Sequence, residues 1–518
     1  MTPSLLTPLE QVRATKRDAL EAAGIVCFPE RFERTGVIES VREKAASLTP
    51  SPLSGIEKTG LEKVALAGRI IGRRRHGELM FMDIKDQSGT MQIVLTKKDS
   101  LSLLNGKGGT IQELTIDGQV LDIFDIVDKY FDIGDFIGFS GLAYNNQRSQ
   151  PTVHIDQIQL LTKSISPLPD KHSGLTDAEE RFRQRYLDML DPEVQARLIR
   201  RSKYFSSMRR FLEDEGFLEL DTPRLENTTG GADARPFHTH YNAFDADVFL
   251  RISAGELWQK RLMAGGFERS FEIGPVFRNE GVSPEHAQDY MQMEVYWAYA
   301  DYKDMMGLVK NLYLHVIDTT YGKRKFSIHG HEVDFDKEWE TLDYTELIRE
   351  RTGIDIFTST EEEMVAKLKE LGAHYEAGNR PRLVDYLWKY IRKSISGPAF
   401  LINEPKFTSP LAKSDVHNPE LTHRFHVIMA GSEVGNGYSE LNDPIDQLQR
   451  FEVQQALRDA GDDEAQMIDL EFVDMLKHGM PPTAGFGVSE RLFAFLEDRP
   501  IRDCQTFPYV RRRENKAL

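Results

Sequence analysis

The stretch Phe277–Tyr296, FRNEGVSPEHAQDYMQMEVY, constrains this chain more than any other. It reads as two antiparallel strands joined by a polar loop. Phe-Arg-Asn-Glu opens it, Gly281 and Pro284 turn it, and Met291–Tyr296 alternates with period two. Arg278 offers a planar fork for a phosphate or carboxylate. Glu280 and Glu294 cannot bind phosphate; they suit a cation, an amine or a nucleobase N–H. Taken alone, the stretch serves either a nucleotide-and-amine hairpin or a solvated hairpin laced with surface ion pairs. The flanking sequence has to decide.

At 518 residues the chain exceeds one ordinary domain, so two or three are expected. No apolar run reaches membrane-spanning length, and the N-terminus lacks a secretory pattern. Cys27 and Cys504 stand far apart, which points to a reducing, cytoplasmic setting and away from a cysteine zinc site. A net charge of −17 makes the whole chain a poor non-specific nucleic-acid binder. Any nucleic-acid contact must come from local basic and aromatic patches.

Residues 1–60 read as a helical extension, with helices over Leu9–Ala23 and Gly36–Ser47 and a Pro/Ser linker at Ser47–Ser54. Residues 61–163 hold five short strand candidates: Val64–Ile71, Leu79–Ile84, Met91–Leu95, Phe136–Leu142 and Val153–Leu161. A long connection after the third, with a helix at Ile123–Tyr130, predicts an OB-type barrel. Arg73, Arg74, Arg75, His76 and Phe81 supply material for stacking and charge pairing with single-stranded nucleic acid. The alternative is a plain barrel with Phe81 in its core, since Met80 and Met82 flank it and alternation cannot choose its face. Residues 164–190 form a linker helix opened by the capping box Thr176-x-x-Glu179. From 191 to 518 a helix with apolar stripe Val194, Leu198, Phe205, Met208 and Leu212 leads into an antiparallel sheet region. No phosphate-binding GxxxxGK[ST] loop occurs, so any phosphates are held by side chains and metal. Residues about 330–398 read as a helical insertion without a catalytic constellation. Beyond it, Asn436, Tyr438 and Glu440 share a strand face, Glu433 precedes them, and Arg491 stands at a strand–helix junction. An acidic patch spans Asp459–Glu464.

In order and spacing, LLTKSISPLPDKHSGLTDAEERFRQRYLDML, GFLELDTPRL, TTGGADARPFHTHYNAFDADVFLRIS, GGFERSFEIGPVFRNEG, WAYADY, SPLAKSDVHNPELTHRF, GNGYSELNDP and HGMPPTAGFG closely resemble a class II lysyl-tRNA synthetase of a divergent bacterial-type branch. The resemblance covers roughly residues 61–512. It implies an α+β protein: an N-terminal OB-fold β-barrel for the anticodon, then a class II catalytic domain on an antiparallel sheet with flanking helices. It also implies a homodimer that uses L-lysine, ATP with Mg2+, and tRNA(Lys). Carried over residue by residue, Arg278 bridges the lysine carboxylate and α-phosphate, Glu280 accepts from adenine, and His286 sits near the triphosphate. Tyr290 stacks on adenine, Arg491 pairs with the γ-phosphate and Glu433 holds magnesium. Glu256 lies near the lysine α-ammonium; Glu294, Tyr296 and Glu440 surround the ε-ammonium; Asn436 touches the carboxylate. Tyr438, where phenylalanine is usual, completes the pocket. Arg73, Phe81 and Gln92 match positions that read a central anticodon uridine.

Several positions depart from the commoner family pattern. RISAGELWQKRL carries one extra residue before Glu256. Glu285 stands where a phosphate-binding arginine is common, and His426 where a second metal-binding glutamate is usual. GFGVSER is one residue short, which calls for a bulge or shifted register to place Arg491. Two rival readings share parts of this architecture. One is a related enzyme charging aspartate or asparagine; an aspartate pocket would need basic residues where Glu294 and Glu440 stand. A non-catalytic paralogue would not need Arg278, Glu433 and Arg491.

Overall fold

The computed structural model describes residues 6–55, 62–169, 175–232, 234–376, 378–461 and 465–512. The acidic patch expected at 459–464 falls partly outside them. The chain divides into two compact units, Met1–Thr176 and Asp177–Leu518.

The first unit contains α1 (Pro8–Ala22), α2 (Ile38–Ala46), β1 (Lys63–His76), β2 (Leu79–Lys85), β3 (Thr90–Thr96), α3 (Ile123–Tyr130), β4 (Phe136–Asn145) and β5 (Pro151–Thr162). The strands pair in the order β3-β2-β1-β4-β5, and a parallel β3–β5 pairing closes the barrel. Closure removes the unpaired edges that an open sheet would leave. The two N-terminal helices are not a separate extension. Leu20, Ile38, Val41 and Ala45 belong to the same buried cluster as Met80, Met82, Ile93 and Ile137 of the barrel. Packing against the barrel removes their apolar stripes from water.

The second unit is built from α4 (Pro192–Asp214), α5 (Glu256–Ala264), β6 (Arg269–Phe277), β7 (Asp289–Ala298), α6 (Tyr302–Tyr321), β8 (Glu340–Asp343), α7 (Arg380–Ile391), β9 (Ala399–Ile402), β10 (Arg424–Met429), β11 (Ser432–Ser439), β12 (Thr483–Ser489) and α8 (Arg491–Leu496). Its sheet runs Leu218–Glu219, β6, β7, β12, β11, β10, β9, β8. Pairing is antiparallel except at the two ends, where Leu218–Glu219 runs parallel to β6 and β8 parallel to β9. One face is covered by α4 and α6: Tyr204, Met208, Leu312 and Val316 pack with Phe271, Val295 and Phe486. The other face carries the cleft.

Two boundaries differ from the sequence expectation. The region expected as a helical insertion from about 330 includes β8, an outer strand of the sheet; a four-residue strand is too short to show periodicity. The first strand of the hairpin ends at Phe277, so Arg278 and Glu280 lie in the loop. The ladder runs from Arg269↔Trp297 to Phe277↔Asp289. The polar residues that follow have no apolar face to bury.

Candidate active site

At one end of the cleft, three glutamates are buried together. Glu256, Glu294 and Glu440 are 5%, 3% and 1% exposed, which is affordable only with partners for their charge. Glu294, on β7, accepts from the Ala254 amide at 2.8 Å, the Gln292 side chain at 2.8 Å and the Tyr296 hydroxyl at 3.1 Å. Glu256 opens α5 and accepts from the Tyr438 hydroxyl. A buried lysine completes the group: Lys260 Nζ lies 2.9 Å from Glu256 and 2.6 Å from Glu440. Sequence reasoning missed it, although its place one turn after Glu256 put both on one face of α5.

Burial pushes Glu294 up to about 8, and the neighbouring Glu256 adds to the rise. Burial likewise raises Glu440, against the pull of Lys260. The pocket is therefore poised to ionise when a cation enters. Beneath it, Glu272 faces Glu294 across the strands and is neutralised by Arg251 at 2.6 Å.

Small residues make this crowding possible. A Cβ at Gly485 on β12 would collide with Glu440 and come within 2.7 Å of the Tyr296 ring. The extra residue before Glu256 is absorbed by Gly255, which takes φ +83° and caps α5. A side chain there would strike Thr222, so glycine is required both for the left-handed backbone and for space.

The other end of the cleft is cationic and aromatic. Arg278 donates to the Ile252 carbonyl at 3.2 Å and lies 5.6 Å from the Tyr290 ring centroid. Glu280 lines the same cleft. His286 is hydrogen-bonded to Ser283 at 2.8 Å; desolvation and Arg491 hold its pKa below the ordinary value. The expected bulge before Arg491 does not occur: β12 pairs with β7 and β11 without a register shift. Instead the strand ends at Ser489, Glu490 follows it, buried and bound to Arg201 at 2.5 Å, and α8 begins at Arg491. The Arg491 guanidinium donates to the Ser432 hydroxyl at 3.3 Å and to the Glu433 carbonyl.

A bulge does occur on β11. His426 pairs with Asn436 but Ile428 with Glu433, so the odd-numbered Glu433 joins Asn436 and Tyr438 on the cleft face. Asn436 accepts from Arg424 at 2.9 Å. Glu433 accepts from the Trp388 indole at 2.5 Å and lies 3.3 Å from Arg392. Desolvation opposes its ionisation, but His426, Arg392 and Trp388 prevail and hold it at about 2. An ionised carboxylate beside the arginines of the cleft is a donor that fits a magnesium ion, which prefers hard oxygen ligands. His426 lies 2.8 Å from Glu404, and as a nitrogen donor it is a poor second magnesium ligand. Among the described residues no group of three or more His, Cys, Asp or Glu forms a metal cage.

The cleft that joins the two ends has a volume of about 600 Å³. Its lining includes Arg278, Glu280, His286, Tyr290, Glu433 and Arg491 with the whole glutamate pocket. It also includes Arg382, Asp385 and Lys389 of α7 and Arg392 just after its end. The inserted helices, in which the sequence shows no catalytic constellation, contribute a wall of the cleft.

In the barrel, β2 buries Met80 and Met82 inward and turns Phe81 to the outer face. There Phe81 pairs across strands with Arg74 and Val94. Gln92 shares that face opposite Asp83, but it is buried, accepting from Thr152 at 3.3 Å. Arg73 does not join them. A register shift between Ile70 and Gly72 turns it the other way, where it donates to the Phe131 carbonyl at 2.9 Å and pairs with Asp128.

A cleft of this kind on a largely antiparallel sheet, in a chain that also holds an OB barrel, defines a class II aminoacyl-tRNA synthetase. Comparison with known proteins agrees on both units: residues 177–511 match the family described as tRNA synthetases class II (D, K and N), and residues 64–161 match the OB-fold nucleic acid binding domain. Proteins named lysine–tRNA ligase are similar over nearly the whole chain. That of Thermotoga maritima is 40% identical over 510 residues, covering 98% of this chain and 97% of its own. That of Halalkalibacterium halodurans is 40% identical over 518 residues, covering 99% and 98%, and that of Roseiflexus sp. 41% over 520, covering 98% and 100%. Within its class, the chain belongs to the lysine–tRNA ligase family.

Proposed function

We propose that this protein activates L-lysine with ATP and transfers the lysyl group to tRNA(Lys). The observation that carries this reading is the buried group Glu256, Glu294 and Glu440 with the hydroxyls of Tyr296 and Tyr438, at the end of a cleft whose other end is arginine-rich. Buried carboxylates select an ammonium and reject uncharged side chains, which would leave them unpaired. The lysine carboxylate then lies toward Arg278 and Asn436. It attacks the α-phosphorus of ATP, the bond to the bridging oxygen breaks, and pyrophosphate leaves. In the second step a terminal ribose hydroxyl of the tRNA attacks the activated carbonyl, and AMP leaves. Neither step demands a strong acid or base; positioning and charge neutralisation by Arg278 and Arg491 supply the catalysis. Tyr290 offers a ring for the adenine face and Glu280 an acceptor for its amino group. Glu433 would hold Mg2+, which neutralises phosphate charge when bound.

The barrel's part is to bind the anticodon, with Phe81 as a stacking platform and Arg74 beside it in place of Arg73. The reading includes a homodimer in the cytoplasm. Among the described residues no helix is long and apolar enough to cross a membrane. Amino-acid-dependent ATP–pyrophosphate exchange over all standard amino acids tests the assignment. Exchange with lysine alone is expected; exchange with another amino acid, or none, overturns it. A monomeric mass by light scattering at micromolar concentration would remove the dimer.

A further inference from the structure

We propose that Arg392, assisted by Lys389, is a ligand of the pyrophosphate end of ATP, so that the inserted helix α7 takes part in phosphate binding. The inference rests on the ATP reading above and extends it to residues outside the sheet. Positions 382, 385, 389 and 392 recur at helical spacing, and all four line the cleft together with Arg278 and Arg491. Arg392 reaches Glu433. Its guanidinium is 3.3 Å from a Glu433 carboxylate oxygen and is 18% exposed, while Arg491 donates to the Glu433 carbonyl. The two arginines therefore flank one residue.

Arg491 has an acidic neighbour on the hairpin. The Glu285 carboxylate lies 3.7 Å from it and accepts from the Ser432 hydroxyl at 3.3 Å. A polyanion entering this end meets a carboxylate on the hairpin side and needs another cation. Arg392 is placed to supply it, with a fork suited to two phosphate oxygens. Lys389 is the weaker partner, since it pairs with Asp385 at 2.6 Å. There is also room beyond: a second cavity of about 510 Å³ shares Glu285, Lys389 and Arg392 with the cleft and adds Lys393 and His331 to its wall.

Titration of ATP and of AMP into the full chain, in EDTA, tests this. Arg392→Ala is expected to bind ATP about tenfold more weakly, the loss of a charged hydrogen bond, with AMP within about twofold of the parent. Lys389→Ala should lose less. Working without metal separates direct contact from an effect through Glu433. Arg392→Lys keeps the charge without the fork and is expected between the parent and the alanine variant. Equal ATP affinity in Arg392→Ala, or a parallel loss of ATP and AMP, overturns the proposal. If the parent enzyme activates an amino acid other than lysine, the functional reading falls while this result still stands, because the phosphates are the same.

Discussion

The ammonium of Lys260 lies 2.6 Å from a carboxylate oxygen of Glu440, in the floor of the acidic pocket. Both side chains are 1% exposed, so the protein keeps a lysine of its own beside the place proposed for a substrate lysine. The internal cation lets the carboxylates stay close together without a ligand. Removing it would leave buried negative charge uncompensated. Lys260→Met should therefore cost about 3–5 kcal/mol of stability, read from denaturant unfolding, and should raise KM for lysine more than KM for ATP. An equally stable variant with unchanged KM for lysine would show that the pair is dispensable.

Arg278 makes few contacts within the protein and lies over Tyr290. Its guanidinium is thus available to charge that develops during adenylate formation. Arg278→Ala is expected to lower kcat/KM for lysine-dependent exchange by on the order of 3 kcal/mol, about a hundredfold. Unchanged exchange would exclude Arg278 from the reaction.

Glu294 is raised to about 8 by burial and by Glu256. Its proton is retained in the folded, ligand-free protein at neutral pH and lost from the unfolded chain. The stability this contributes is complete below the ordinary value of 4.5 and disappears as pH rises toward 8. A bound ammonium reverses the preference, because it favours the carboxylate. KM for lysine should fall from about pH 6 to about pH 8, and calorimetry near neutrality should find proton release on lysine binding. Buffers of different ionisation enthalpy give the proton count, and proton uptake would contradict the scheme. Lysine should also stabilise the protein against heat more at the higher pH.

Phe81 and Arg74 are cross-strand neighbours on the outer face of the barrel. Phe81→Ala is expected to weaken tRNA binding by about 1–3 kcal/mol, while leaving lysine-dependent exchange intact. Arg74→Ala should follow Phe81→Ala, whereas Arg73→Ala should act mainly on stability through its ties to Asp128 and Phe131. Equal loss of exchange and charging in Phe81→Ala would contradict a separate anticodon role.

Much of this was legible from residue order. The five barrel strands, the helix Ile123–Tyr130, the hairpin and the gathering of Glu294, Tyr296, Asn436, Tyr438 and Glu440 follow from alternation, turn residues and the family resemblance. Other features were not legible, for identifiable reasons. The face taken by Phe81 depends on the register in which β2 meets β1 and β3. Glu433 reaches the cleft, and Arg73 leaves the side of Phe81, through register shifts that alternation does not reveal. The short last motif needed no bulge, because Glu490, held in a buried ion pair just after the strand, caps α8 and places Arg491 at its start.

Local pattern alone decides which residues of one element share a face, since Cβ direction follows the helical or strand period. It was enough to establish the two architectures, and with the resemblance the lysine-and-ATP chemistry. Which elements then face one another is set by sheet pairing and by the burial of apolar stripes, and these are properties of the whole chain. Only the tertiary structure seats Lys260 between Glu256 and Glu440, and only it brings Arg392 from the inserted helices to Glu433. A lone charge on a helix is inexpensive in water and costly when buried, so the burial of these groups, rather than their identity, marks them as part of the site.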